Sequence, residues 1–210
     1  MALATLREAV VTSGRFPLLS GVTCELEKGH TYVVTGPNGA GKTSFLRLLA
    51  GLETLSRGQA QVLGYDLASS DRRLVRRHIG WLGHEGSFYD ELTVRENLDF
   101  AVAALRIDAT RIDAALEAVG LAHRAHTVTK ALSAGQRRRL GLAWLIIRRA
   151  ELWLLDEPYA SLDEEGRRYF GVVLEQAIGA GSTVVLTSHD PIDLAVPTSP
   201  LHLVGGRVIA

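Results

Sequence analysis

The chain has 210 residues, of which 47% are hydrophobic and 22% are charged, and its formal net charge at neutral pH is zero. This composition is typical of a globular protein with a large core, and the balanced charge provides no basic field that would attract nucleic acid. The longest apolar run, residues 140–147, is far shorter than the ~20 residues of a membrane-spanning helix. We therefore expect any membrane role to come through a partner.

The first part of the chain predicts three strands followed by a glycine-rich loop and a helix. The strands are predicted over residues 3–11, 22–27 and 31–35. The loop matches the pattern G-x-x-x-x-G-K-[ST] without a mismatch, and its residues, with the first residue of the helix, are Gly36, Pro37, Asn38, Gly39, Ala40, Gly41, Lys42, Thr43 and Ser44. The helix is predicted to end at Gly51.

A strand, a glycine loop and a helix in this order indicate a binding site for a nucleoside triphosphate. The glycines let successive backbone N–H groups converge on one anion, and the helix N-terminus adds unpaired donors. Lys42 is predicted to reach the β- and γ-phosphates, and the Thr43 hydroxyl to bind Mg²⁺. The alternative, a turn that merely joins strand to helix, leaves the eight matched residues unexplained.

The next part connects this loop to a mostly helical region. Strands are predicted over residues 59–64 and 79–83, with a basic helical stretch over 71–78 between them. Because residues 91–150 are mostly helical, they predict a helical insertion in an α/β fold. We predict that residues 1–210 form a single domain with an α/β core and a helical subdomain.

Its α/β core consists of residues 1–84 and 151–210, and its helical subdomain spans about 85–150. Within the helical part, Thr93 and Glu96 form a capping-box pattern at the start of one helix. A second helix is predicted over residues 109–119.

A third helix is predicted over residues 134–149, with Ser133 before it as a plausible N-cap. The serine and the backbone donors at this helix N-terminus have an alternative role, which is to contact a phosphate. The residues alone leave both roles open.

The last part of the chain alternates between strands and helices again. Its predicted elements, in order, are a strand, a helix, a strand, a short helical turn and a hairpin of two strands, over residues 151–155, 163–178, 182–187, 191–195, 201–204 and 207–209. The first of these strands ends in two adjacent carboxylates, Asp156 and Glu157.

These two carboxylates are candidates for metal binding and catalysis. Parallel strands present ligand-binding groups at their carboxyl ends. Asp156 is therefore predicted to support the Mg²⁺ assigned to Thr43, and Glu157 to polarise an attacking water. The alternative is that these are solvated charges at a strand end, but the presence of a phosphate loop in the same chain favours the functional role.

With these motifs the chain resembles the nucleotide-binding subunits of ABC transporters. A four-residue stretch is similar to their signature motif, one position from its commonest form, and consists of Ser133, Ala134, Gly135 and Gln136. Ser161-Leu162-Asp163 resembles their D-loop, and His189 resembles their switch histidine.

The resemblance implies a P-loop ATPase with a mixed or parallel sheet core, an antiparallel N-terminal β portion and a helical subdomain. It also implies an ATP-dependent head-to-tail homodimer, in which Ser133 and Gly135 of one chain complete the ATP site of the other. Asp163 is implied to connect the two sites, and His189 to contact the γ-phosphate. The implied partners are integral-membrane transporter subunits, and the implied location is cytoplasmic, on the inner face of the cell membrane.

Two departures from the family pattern indicate which subfamily the chain resembles. His84 stands where the family usually has the glutamine that touches Mg²⁺ or water and faces the membrane partner. The tyrosine that often stacks on adenine is absent near the N-terminus, where Phe16 is the available aromatic residue.

The chain is similar to the haem-exporter ATPase of cytochrome c maturation in its short length, in Leu82-Gly83-His84 and in residues 132–139. That resemblance implies a motor that works with two small membrane proteins. The alternatives are an ATPase subunit of another ABC exporter and an ABC-type assembly factor that works without a transporter.

Overall fold

The structure, a computed structural model, describes residues 1–83, 88–159, 162–188 and 196–209. The strands in these residues are β1 (Ala2–Ser13), β2 (Phe16–Glu27), β3 (Thr31–Thr35), β4 (Arg57–Val62), β5 (Tyr65–Asp66), β6 (Ile79–Leu82), β7 (Leu152–Leu155), β8 (Thr183–Thr187), β9 (Thr198–Val204) and β10 (Arg207–Ile209). The α-helices are α1 (Lys42–Leu49), α2 (Val94–Leu105), α3 (Arg111–Ala118), α4 (Ala134–Arg148) and α5 (Glu164–Gly179). Short 3₁₀ helices cover Ser70–His78, Ala122–Arg124 and Thr129–Ala131.

The described strands form two sheets. The smaller sheet has the order β2-β1-β4-β5 and is antiparallel throughout. The larger sheet has the order β10-β9-β3-β8-β7-β6, in which only β10 runs antiparallel to its neighbour. The predicted antiparallel N-terminal β portion and mixed sheet core are therefore confirmed.

The order of the larger sheet places three strand ends side by side. Strand β8 lies between β3, which leads into the glycine loop, and β7, which leads into the two carboxylates. Because the three strands are parallel, their carboxyl ends meet at one edge of the sheet, where α/β proteins bind ligands.

These central strands are buried on both faces, as parallel strands usually are. Successive side chains of β7 point to opposite faces. Leu152 and Leu154 belong to the hydrophobic cluster that includes β1, β2 and α1. Trp153 and Leu155 belong to a second cluster, which includes α2, α3, α4 and α5. One four-residue strand therefore supports both halves of the core.

The helical part between residues 94 and 148 begins as the sequence predicts. The capping box of Thr93 and Glu96 is present, and Ser133 caps α4 through a second capping box with Gln136. The subdivision of the domain into core and helical subdomain remains a prediction. Among the described helices, none is long and apolar enough to cross a membrane.

Several boundaries differ from the prediction. Residues 71–78 are helical but in the 3₁₀ form, β5 is additional, and β9 begins at Thr198 rather than 201. Pro200 lies inside β9, opposite Val33 of β3. Proline cannot donate to a sheet ladder, which argues against a strand when only the sequence is available. The helical turn predicted for residues 191–195 lies outside the described residues.

Candidate functional site

The glycine loop follows β3 and requires glycine at two positions. Gly36 has φ +145°, and a Cβ there would lie 2.1 Å from the carbonyl oxygen of Leu203. Gly41 has φ +99°, and a Cβ there would lie 2.5 Å from the carbonyl oxygen of Leu18. Since neither backbone conformation nor space admits a side chain, these glycines fix the path of the loop into α1.

Lys42 is the first residue of α1 and is 7% exposed. Its Nζ donates to the carbonyl oxygens of Gly36 at 2.8 Å and Pro37 at 3.1 Å. A lysine ammonium has three N–H donors, so these two bonds leave it one further donor. The ammonium is thus held over the loop whose backbone N–H groups are predicted to bind phosphate.

The carboxylate of Asp156 joins the glycine loop to two neighbouring strands. The Thr43 hydroxyl donates to Asp156 Oδ2 at 2.9 Å, and the Thr187 hydroxyl donates to Asp156 Oδ1 at 2.7 Å. Thr187 Oγ1 in turn accepts the backbone N–H of Glu157 at 2.8 Å. Asp156 is 6% exposed, and hydrogen bonds to both carboxylate oxygens offset the cost of burying it.

The oxygens of Thr43 and Asp156 fit a magnesium ion. Adjacent ligands of octahedral Mg²⁺, at ~2.1 Å from the ion, lie ~3 Å apart, and the two oxygens here are 2.9 Å apart. The described residues contain no group of three or more His, Cys, Asp or Glu that could hold a metal ion. One carboxylate and one hydroxyl suit Mg²⁺, because this ion keeps several waters and takes phosphate oxygens as further ligands.

Glu157 lines the same cleft as the glycine loop. The cleft has a volume of about 430 Å³, and its described lining is Pro17, Leu18, Asn38, Gly39, Ala40, Gly41, Lys42, Thr43, Ser44 and Glu157. Glu157 has φ +47°, a left-handed conformation that is uncommon for residues other than glycine. Such conformations cluster at functional sites, where the surrounding structure enforces them.

Residues 156–158, which follow β7, are called the carboxylate turn, and two residues that the sequence analysis did not identify support it. One is Thr187, which bonds Asp156. The sequence signal that could have identified it is its position as a polar residue at the carboxyl end of a buried strand. The other is Arg138, whose guanidinium donates to backbone carbonyl oxygens of the turn, including those of Asp156 and Glu157. Burial lowers the pKa of Arg138, while the nearby charges of Asp156 and Glu157 raise it.

The signature residues lie at the N-terminus of α4. Ser133 Oγ accepts the N–H of Gln136 at 3.2 Å, and Gln136 Oε1 accepts the N–H of Ser133 at 3.0 Å. The structural role predicted for Ser133 is therefore confirmed. Capping uses the hydroxyl oxygen as an acceptor, so its O–H can still donate. Ser133 and Ala134 are exposed, Gly135 is half-buried, and none of residues 133–136 is among the described lining residues of the cleft.

Asp163 caps α5, and its Oδ1 accepts the N–H of Gly166 at 2.7 Å. Its predicted role between two ATP sites stays a prediction. His84, Ser161 and His189 lie outside the described residues.

Comparison with known proteins supplies a family context for this site. A family model described as "ABC transporter" matches residues 19–160. The chain is 40% identical over 185 residues to the cytochrome c biogenesis ATP-binding export protein CcmA of Nitrobacter winogradskyi. This alignment covers 88% of this chain and 90% of that protein. It is 38% identical over 205 residues to the protein of the same name from Paracoccus denitrificans, covering 98% and 90% of the two chains.

Solved structures show the same fold. The ATP-binding subunit of an ABC transporter superposes with a TM-score of 0.87 at 23% identity, covering 99% of this chain and 88% of that one. A dimeric ATP-binding cassette in a post-hydrolysis state, bound to ADP and Pi, superposes with a TM-score of 0.84 at 21% identity, covering 98% and 96%.

The hydrogen bonds of Thr187 can be tested by a matched pair of substitutions. Thr187 is 0% exposed, and its hydroxyl forms hydrogen bonds with Asp156 and Glu157. Thr31 is 2% exposed and serves as the control, because its hydroxyl has no hydrogen-bond partner within the described ranges. We predict that Thr187→Val lowers the free energy of unfolding by about 1–3 kcal/mol, because it leaves buried polar groups unpaired. Thr31→Val removes an unpaired buried hydroxyl, so it should leave the free energy of unfolding unchanged or raise it by up to about 1–3 kcal/mol.

Urea denaturation of both variants measures the difference. Equal losses in the two variants would contradict the account of Thr187 given above.

Proposed function

Because the chain belongs to the ABC transporter family, we propose that it is the ATP-hydrolysing subunit of a transporter that serves cytochrome c biogenesis, with haem as the exported substrate. The observation that carries the proposed ATPase site is the hydrogen bond between Thr43 and Asp156, which joins the glycine loop to the carboxylate turn. The names of relatives that are 36–40% identical support the biogenesis role.

We propose that ATP binds with its phosphates on residues 36–44. The backbone N–H groups of the loop and the N-terminus of α1 bind the phosphate oxygens. Lys42 binds the β- and γ-phosphates with its ammonium. The adenine lies outward from the cleft, where Phe16, which is 76% exposed, is an available stacking surface.

Thr43 and Asp156 are proposed to hold Mg²⁺ together with ATP. When bound, the ion neutralises charge on the β- and γ-phosphates. Thr187 keeps the Asp156 carboxylate oriented through its hydroxyl, so the oxygen that faces Thr43 has a fixed direction. The protein's contribution here is to position a single acidic ligand.

Glu157 is the proposed catalytic residue for water activation. Its carboxylate accepts a hydrogen bond from the water that attacks the γ-phosphorus, while the bond from this phosphorus to the bridging oxygen breaks and ADP leaves. The proton of the water passes to Glu157 or to the inorganic phosphate that forms from the γ-phosphoryl group. His189 is proposed to contact the γ-phosphate from the segment that follows β8.

The active form is proposed to be an ATP-dependent homodimer. Ser133, Ala134, Gly135 and Gln136 are proposed to close the ATP site of the opposite chain. The exposure of Ser133 and Ala134 supports this role, and the spare O–H donor of Ser133 suits a phosphate oxygen. Asp163 is proposed to connect the two sites across the dimer.

Integral-membrane subunits are the proposed partners, and the proposed location is the cytoplasmic, inner face of the cell membrane. His84 is proposed to face these partners at the position where the family usually has glutamine. An imidazole can both donate and accept hydrogen bonds, so His84 can replace glutamine in this role.

The catalytic assignment can be tested by substituting one carboxylate. We expect Glu157→Gln to retain ATP binding and to lower kcat about 100-fold or more, the scale of a lost general base. ATP should then hold the variant as a dimer, measured by size-exclusion chromatography with light scattering. Glu175→Gln on the exposed face of α5 is the matched control and should hydrolyse ATP at the wild-type rate. Wild-type turnover in Glu157→Gln would refute the assignment.

The transport role can be tested by purifying the tagged chain from detergent-solubilised membranes of its native host. We expect integral-membrane proteins of cytochrome c biogenesis to co-purify, identified by mass spectrometry. Membrane subunits of a different exporter would refute the biogenesis role. Recovery without any membrane protein would favour the assembly-factor alternative.

A further inference from the structure

Arg138 connects three parts of the chain beside the cleft. Its guanidinium donates to the carbonyl oxygens of Gly83, Asp156 and Glu157, and its Nε donates to that of Pro158 at 3.3 Å. Gly83 follows β6, the other three residues form the carboxylate turn after β7, and Arg138 itself belongs to the signature helix α4. With 8% exposure, the side chain is buried where these segments meet.

The contacts fix the backbone of the carboxylate turn. Three consecutive carbonyl groups, those of residues 156–158, point to one guanidinium, so the turn curls around the cation. The middle residue is Glu157, which has the left-handed φ of +47°. A planar guanidinium with five N–H donors in a rigid fork suits this task, because it binds several acceptors in one fixed geometry.

The two adjacent arginines have different partners. Arg137 forms an ion pair with Asp90. Arg139 donates to the carbonyl oxygen of Val119 at 3.3 Å and lies 5.5 Å from the ring centroid of Tyr169. Arg139 is also 8% exposed, so it matches Arg138 in burial and in helix, whereas these two partners lie outside the carboxylate turn.

We propose that Arg138 is a positioning residue for ATP hydrolysis. It holds the backbone of Glu157 so that the carboxylate faces the cleft, and it ties this turn to the helix that begins with the signature residues. A shift of α4 as the signature closes on the opposite ATP site is thereby transmitted to Glu157 of the same chain. The inference rests on the proposed function, because it assigns Arg138 to the same reaction.

The test compares Arg138→Met with Arg139→Met. We expect Arg138→Met to lower kcat about 10- to 100-fold, since small displacements of a catalytic group have effects of this size. Its KM for ATP should stay within about twofold of wild type, because the phosphate loop keeps its own contacts. Arg139→Met should lose comparable thermal stability and keep kcat within about twofold. Equal kcat in the two variants would overturn the inference.

A double substitution separates positioning from general destabilisation. If Arg138 acts through Glu157, adding Arg138→Met to Glu157→Gln should lower the residual single-turnover rate by less than about twofold. A further tenfold loss would overturn the inference.

Arg138→Lys provides a variant that retains the positive charge if Arg138→Met does not fold. We expect its kcat to fall about threefold or more while the variant stays folded at the assay temperature, because an ammonium cannot reproduce the guanidinium fork. Wild-type kcat in Arg138→Lys would overturn the inference and leave the proposed function in place. A wild-type chain that does not hydrolyse ATP would refute both.

Discussion

A single buried carboxylate, that of Asp156, holds the candidate site together. Its two oxygens accept hydrogen bonds from Thr43 in the phosphate loop and Thr187 at the end of β8. A carboxylate at 6% exposure is costly to bury unless its oxygens are paired, so these bonds tie the relative positions of three strand ends to the stability of the fold. The same oxygen that accepts from Thr43 is the one suited to Mg²⁺. Folding and metal binding therefore depend on one arrangement of side chains.

The helical part of the chain adds a second constraint to this arrangement. Asn97, which is 3% exposed, uses its side-chain amide to bond the backbone of residues 89, 92 and 93 and the hydroxyl of Thr129. Thr129 lies shortly before the signature residues, so Asn97 joins the start of α2 to the segment that leads into α4. Together, Asn97 and Arg138 connect the start of α2, the residue after β6, the signature helix α4 and the carboxylate turn through buried or partly buried hydrogen bonds. Such bonds provide a physical route for coupling between the proposed membrane partner and the ATP site.

Much of the fold could be predicted from sequence because local rules specify it. The glycine loop, the capping box of Thr93 and the apolar strands each leave a signal within a few residues. Strand β9 begins earlier than predicted, because the place of Pro200 inside it depends on pairing with β3, which is distant in sequence. Arg138 gave no signal of its own, since a run of three arginines does not indicate which of them contacts the carboxylate turn. The importance of Thr187 likewise depends on the order of strands in the sheet, and this order is a tertiary property.

The central claim, that Asp156 links the phosphate loop to a bound magnesium ion, is tested most directly by calorimetric titration of ATP into Asp156→Asn. In the wild-type chain, we expect ATP to bind more tightly with Mg²⁺ than with a chelator. The asparagine variant is nearly isosteric and can still bond the hydroxyls of Thr43 and Thr187, but it lacks the negative charge that favours Mg²⁺. The account predicts that its ATP affinity is nearly independent of Mg²⁺. An Asp156→Asn variant that keeps the full wild-type enhancement by Mg²⁺ would contradict it.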